Sequence, residues 1–454
     1  MIEVSYAEGW DLAGVREAGA LLSRDAARAR DAAGEPYAVV LRLPGRRVPL
    51  EVLYVSWREH YLGSWAYDAY GRRVEEADLR LLDDPARLLC LFRQSWEYGS
   101  AEAAEFRARL HRSLKLTPDG PAVRIREDHR GSRHTVGEFP DEERWTPRPE
   151  FGAWPLFGPE WAELGPLSFR TVEGPAERGE PPEPGPAGAA GRVELWTAPR
   201  PLGPGALDAL FVPGTALTAH RHEPLTVLDV RPVGTLRTTG GRLVVDCPVS
   251  GDLPPRELTV RVPPGTYPVD NAWAGYAYDF MGEHVVREDV TAYRLRIGEG
   301  PVVSWEMALA AGEDPRLLRE GEGYGFGTDT ASGSFADAAA WPVLAPPFRE
   351  AHGAVPDGVE ELAEGHLRAT DPATGAQLIR FPTGGDGGYT VWLGRDAAGE
   401  PVSVVVKPYV LPELSVARPK RSRAARRTGR GNRQEAPDPA GNPAGDPDLP
   451  EGSR

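Results

Sequence analysis

Residues 377–406 read QLIRFPTGGDGGYTVWLGRDAAGEPVSVVV, and their texture decides the fold class. Gln377–Phe381, Tyr389–Leu393 and the run beginning at Val402 and ending at Tyr409 are rich in β-branched and aromatic residues. The segments between them, Gly384–Gly388 and Asp396–Gly399, are turn formers. Short apolar runs separated by such turns predict antiparallel strands joined as hairpins.

The pattern continues towards the N-terminus. Strands are expected at Leu225–Val230, Arg242–Asp246, Glu257–Val262, Thr266–Val269, Val285–Ile297 and Val302–Leu309, with Pro263-Pro264-Gly265 among the turns. Helices are expected at Ser334–Trp341 and Gly358–Leu367. No repeat of fixed period and no alternation of strand and helix is present, which disfavours a parallel, doubly wound sheet.

Upstream, residues 171–191 (TVEGPAERGEPPEPGPAGAAG) have almost no large apolar side chain and are dense in Pro, Gly and Glu, so they predict a linker. Before it, Asp11–Ala33 carries Leu12, Val15, Ala18, Leu21 and Leu22 on one helical stripe, and Ala101–Leu114 carries Ala104, Phe106, Leu110 and Leu114 on another. Strands are expected at Tyr37–Leu43 and Val48–Trp57, and a third around Trp65 running into a glycine turn. The expected fold class is therefore α+β: a small α+β domain over 1–170, the linker 171–191, a β-rich, mostly antiparallel α+β domain over 192–415, and a disordered tail over 416–454.

At 454 residues, two folded domains are the ordinary expectation. The N-terminus has no basic or apolar leader, and no apolar run is long enough to span a bilayer, so a cytoplasmic location is expected. Cys90 and Cys247 stand alone, which excludes a disulfide scaffold or a zinc ribbon. The net charge is −15, but Arg418–Arg454 holds nine basic and five acidic residues, a local +4, so residues 1–417 carry −19. Such a body disfavours nucleic acid and anionic membrane as main partners, because both are bound by neutralising phosphates.

Several motifs bear on chemistry. Gly321–Asp337, GEGYGFGTDTASGSFAD, reads as a glycine-rich loop feeding a helix, a geometry that binds anions through Gly325, Gly327, Ser332 and Ser334. It lacks the Gly-Lys-Ser/Thr ending of a phosphate loop, and a serine cap on a structural loop explains it equally. Asp329, Asp337 and Asp386 lie in the most distinctive blocks; together they would suit a divalent cation or acid–base work, and apart they are turn residues. His220 and His222 stand at strand spacing, but only Glu223 is near, short of a zinc ligand set. Trp57, Trp65, Tyr67, Tyr70, Trp96 and Tyr98 would build either a sugar platform or a half-buried core. No Gly-x-Ser-x-Gly elbow and no HExxH are present, and no metal or cofactor is expected.

In order along the chain stand GTLRTTGGRLVVDCPV (234–249), VPPGTYPV (262–269), VTAYRLRI (290–297), VSWEMALAAG (303–312), YGFGTDTASGSFADA (324–338) and GGDGGYTVWLGRDAAGEPVSVVV (384–406). Through these six blocks, residues from about 194 to 411 resemble the bacterial domain-of-unknown-function 4241 family. The chain departs from that pattern at Asp246-Cys247-Pro248, at Thr328–Gly333 and at Val406-Lys407-Pro408. The resemblance implies a domain boundary and draws attention to the same three aspartates; it implies no activity.

The expected function is a non-enzymatic protein-binding module, of immunity or regulatory type, presenting an acidic surface to a protein partner. The alternative is a hydrolase-like enzyme using Asp329, Asp337 or Asp386 around a divalent ion, and a third reading is carbohydrate binding. The oligomeric state is left open.

Overall fold

The computed structural model describes residues 1–158, 167–172, 195–205, 207–218, 225–249, 254–351, 354–407 and 415–416. His220, His222, the tail from 417 and all of the expected linker except Thr171 and Val172 lie outside the described residues.

The first part of the chain is a 12-stranded sheet rather than a small α+β fold. Tyr37–Arg42, Glu51–Ser56, Tyr61–Tyr67, Arg73–Leu81, Arg87–Glu97, Leu110–Lys115, Ala122–Asp128 and Gly131–Gly137 pair antiparallel in chain order. Ile2–Asp11 adds beyond Tyr37–Arg42, and Phe169–Thr171 lies parallel to it. Glu51–Ser56 and Tyr61–Tyr67 are buried at every position, as strands covered on both faces must be. One face packs Val39, Leu53, Leu62 and Leu79 under Trp154 and the helix Arg24–Ala33. The other packs Trp10, Val40, Tyr54 and Trp65 under Trp196.

Both helices expected here are corrected. Arg16–Leu22 is a strand, and the helix occupies only Arg24–Ala33, where the Ser23 hydroxyl accepts from the Ala26 N–H and Gly34 closes the end at φ 71°. Asp11 ends the preceding strand and its Oδ1 accepts from Gly14 N, so the helical stripe of Leu12 and Val15 falls across a turn. Within 101–114, Phe106 turns with φ 65° and Leu110–Lys115 joins the sheet. There the open ladder of the two flanking strands outweighed helix propensity.

The second part folds as two facing sheets. One orders Ser304–Met307, Gly387–Arg395, Pro401–Val406, Glu283–Arg296, Gly265–Phe280, Leu225–Thr238, Ala216–Thr218 and Ser415–Val416. The other orders Glu257–Arg261, Arg242–Asp246, Ser332–Asp337, Gln377–Pro382, Leu367–Thr370 and Glu360–Glu361. Leu236, Val269 and Leu295 from the first meet Val245, Phe335 and Phe381 from the second in a shared interior. All nine strands expected after the linker are present. The expected helix Ser334–Trp341 is instead the end of a strand followed by short helical turns at Ala338–Ala340 and Trp341–Leu344, and Gly358–Leu367 contains only a two-residue strand and the turn Ala363–Gly365. Cys90 and Cys247 are not joined in a disulfide. Among the described residues no helix is long and apolar enough to cross a membrane.

One buried carboxyl of the first sheet makes the fold pH-sensitive. Glu75 is 7% exposed and pairs with Arg93. Burial lifts its carboxyl to about 7 against the pull of Arg93, and Glu51 adds to the rise. The folded chain thus holds this proton more tightly than the unfolded chain, whose carboxyl titrates near 4.5, so stability is lost as pH rises from about 4.5 to about 7. Glu75→Gln should remove that loss and stabilise the protein above pH 7 by about 3 kcal/mol, at about 1.4 kcal/mol per pKa unit over the rise from 4.5 to about 7. Urea unfolding at pH 5 and pH 8 tests this; wild-type and variant values that move in parallel would assign the titration elsewhere.

Candidate functional site

The glycine-rich segment forms a corner, a tight turn between one strand of each facing sheet. Gly325–Thr328 pairs with Gly387–Arg395, while Ser332–Asp337 pairs with Gln377–Pro382 and Arg242–Asp246. Its glycines serve close packing rather than a phosphate cradle. A Cβ on Gly325 would lie 1.8 Å from the Tyr389 carbonyl oxygen, and one on Gly333 would meet the rings of Phe381 and Phe326 at 2.4 and 2.6 Å. Those rings centre the interior: Phe326 stacks on Tyr389 at 5.5 Å, and Phe381 on Tyr293 at 4.4 Å.

No helix begins at this corner, so the expected anion geometry is corrected to a turn between strands. The Thr328 hydroxyl oxygen accepts from the N–H groups of Thr330 and Ser332 and donates to the Cys247 sulfur at 3.2 Å. Ser332 Oγ donates to the Thr330 carbonyl and accepts twice from Arg380, at 3.0 and 2.8 Å. Ser334 Oγ donates to the Asp246 carbonyl. Gly327 is exposed on its strand.

The three aspartates do not converge. Asp329 is exposed at the turn, and Asp386 reaches the same turn to accept from Ala331 N at 3.1 Å. Asp337 closes the far end of Ser332–Asp337, about 16 Å away at 3.3 Å per residue. It is fully buried, and its carboxylate accepts from the N–H groups of Thr239, Gly240 and Ala339 and from the Thr239 hydroxyl. Among the described residues no three His, Cys, Asp or Glu side chains are placed to hold a metal ion.

Arg380 escaped the sequence reading. It is half-buried, the hydrogen bonds of its side chain among the described residues go to Ser332, and burial lowers its pKa while the nearby Cys247 opposes that shift. The single signal was a charge inside the apolar run Leu378–Phe381.

The outer end of the first sheet holds a second concentration of arginine that sequence reasoning missed. Ser95, Arg112, Arg126 and Arg133 stand opposite one another on four adjacent strands, and Arg93, Leu114, Arg124 and Thr135 form the parallel row two residues along. Side chains two residues apart share a face, so five arginines line one concave surface of about 390 Å³. Glu75 holds Arg93, Glu97 holds Arg112, and Asp128 stands 3.7 Å from Arg126. Arg124 donates to the Glu138 carbonyl, and Arg133 is exposed without an ion pair among the described residues. Like charges directly opposite across a ladder are destabilising, so stability alone does not account for three arginines in one row. Gly131–Gly137, which carries Arg133, pairs on one side only among the described residues. The signal was alternation of Arg124 and Arg126 with Val123 and Ile125, visible only once the strands are in register.

A family model described as "Protein of unknown function (DUF4241)" matches residues 236–406. No curated protein and no solved structure matches the chain. The matched region begins in Leu225–Thr238 and ends with Pro401–Val406, taking in the glycine-rich corner and the interior that the two sheets share, while the arginine rows lie outside it. Residues 236–406, the region of the two facing sheets, thus match the DUF4241 family, as the six sequence blocks implied.

Proposed function

We propose that the protein is a non-enzymatic binding module that captures an acidic, extended segment of a partner protein along Gly131–Gly137. The observation that carries this reading is the cross-strand row Arg112–Arg126–Arg133 running out to an edge that pairs on one side only. An exposed edge offers unmet N–H and C=O groups to an added strand, and carboxylates on that strand would meet the guanidiniums in bidentate pairs. The net charge of −15 had suggested a basic partner; the local surface favours an acidic one. The same net charge favours a protein segment over nucleic acid, whose continuous phosphates would be repelled by the rest of the body.

Fluorescence anisotropy with a labelled peptide of alternating Glu and Val tests this, beside a single-stranded oligonucleotide and a Lys/Val peptide. The acidic peptide should bind the full chain in a salt-sensitive manner. Arg126→Glu together with Arg133→Glu should weaken it by at least about tenfold, or 1.4 kcal/mol, with the melting temperature unchanged. Equal binding by the double variant, or preference for the oligonucleotide or the basic peptide, would refute the reading.

A further inference from the structure

The DUF4241 region carries a second concavity, on the face of its larger sheet turned away from the shared interior. Across four neighbouring strands one row reads Trp305, Gly394, Ser403, Arg296, and the next, reaching a fifth strand, reads Met307, Trp392, Val405, Arg294, Asp270. The second row is packed by Met307, Trp392 and Val405 and ends in charge. The first row opens into a cavity of about 620 Å³, a volume suited to a small organic molecule.

The polar groups there are incompletely matched. Asp270, 4% exposed, lies 2.9 Å from Arg294 and 2.8 Å from Arg296, so its one charge is shared between two guanidiniums. Arg294 Nε is buried without a partner among the described residues, and its guanidinium lies 4.0 Å from the Phe211 ring centre. Arg296, half-exposed, meets Asp270 through Nε. Ser403 lines the cavity, is 4% exposed, and its hydroxyl has no hydrogen-bond partner among the described residues. A buried hydroxyl left unmet costs about 1–3 kcal/mol, so an incoming acceptor would recover that loss.

The walls are apolar. A Cβ on Gly394 would sit 2.9 Å from Val302 and 3.0 Å from Trp305, so the glycine lets both side chains lean over the strand. The Trp305 indole is fixed by donating to Asp208 at 3.1 Å. Glu299 lines the same cavity and is exposed.

We infer that this cavity binds a small monocarboxylate with an apolar or aromatic body, its carboxylate held by Arg296 and the Ser403 hydroxyl and its body against Trp305. The floor selects the monoanion. There two guanidiniums against the one Asp270 carboxylate leave a single positive charge, while Glu299 and Asp208 bring the whole cavity to −1, so the attraction is local to the floor and a second negative charge has no counterpart. A phosphate monoester, with about −1.5 to −2 at neutral pH, exceeds what the floor neutralises.

Saturation-transfer NMR with the full-length chain tests the site using benzoate, phenyl phosphate and benzylamine as probes. Benzoate should bind, phenyl phosphate at least about tenfold more weakly, and benzylamine not at all. Ser403→Ala and Arg296→Gln should each weaken benzoate at least about tenfold. Arg294 still pairs Asp270 in the latter variant, and an unchanged melting temperature separates lost contact from lost fold. Benzoate binding that survives both substitutions, a preference for phenyl phosphate, or no binding by any probe would overturn the assignment.

Discussion

Replacing Asp337 with alanine is expected to lower the unfolding free energy by about 3–4 kcal/mol, whereas Asp329→Asn and Asp386→Asn should each stay within about 1 kcal/mol. All three aspartates lie in distinctive blocks, but their surroundings differ. The Asp337 carboxylate accepts from Ala339 N and the Thr239 hydroxyl at 2.9 Å and from Gly240 N at 3.2 Å, fixing the turn at Thr239-Gly240 to the strand Ser332–Asp337. Burial opposes its ionisation, yet the donors of Thr239, Ala339 and Gly240 together hold its pKa below 3.8. A carboxyl depressed in the folded state contributes stability that is present above its unfolded pKa and lost as pH falls through its folded pKa. The acid limb of the wild-type stability curve, below about pH 4, should therefore be steeper than that of Asp337→Ala. Guanidinium unfolding from pH 2 to pH 7 measures both effects. A variant as stable as the wild type would return Asp337 to the list of residues held for binding or chemistry rather than for the fold.

That contrast shows what was legible in the chain and what was not. Strand positions after residue 224 could be read because their turns announce themselves: Asp396–Gly399 is a turn in sequence and in space. Gly265–Phe280 runs far beyond the expected Thr266–Val269, because Asp270 and Asn271 look like a turn, whereas Asp270 is held on the sheet by Arg294 and Arg296. Before the linker, local pattern misled twice. A stripe such as Leu12, Val15, Ala18, Leu21 and Leu22 fits a helix, but ladder pairing with Ile2–Asp11 is a long-range term that no local period reports. The glycine-rich corner was missed for a related reason: Gly325 and Gly333 suggest loop freedom, but what requires them is the Tyr389 carbonyl and the Phe381 ring, 64 and 48 residues away. Both arginine sites are products of register. Arg112, Arg126 and Arg133 are unremarkable apart, as are Arg296 and Ser403, and only the pairing of strands brings them together.

The second large effect is expected at Asp78, whose replacement by alanine should cost about 3–5 kcal/mol. Asp78 and Arg80 are two residues apart on Arg73–Leu81 and so project from one face, where both are buried, 6% and 3% exposed. Their carboxylate and guanidinium meet twice, at 2.6 and 2.9 Å, and Arg80 lies 5.1 Å from the Tyr61 ring centre. Removing one partner leaves the other charge buried and uncompensated; removing both does not. Asp78→Leu combined with Arg80→Leu should therefore recover most of the loss, and near-equal destabilisation by Asp78→Ala and the double variant would show that packing, not charge, sets the cost. The comparison also separates folding from binding. The pair lies on the face opposite that of Glu75, which the arginine rows continue, so Asp78→Ala should lower the yield of folded protein while the surviving fraction binds the acidic peptide with unchanged affinity. Arg126→Glu with Arg133→Glu should do the reverse, sparing the melt and removing the peptide. A binding loss in Asp78→Ala beyond its loss of folded protein would mean that the arginine rows depend on the centre of the sheet, and the proposed surface would then have to be drawn across the whole meander.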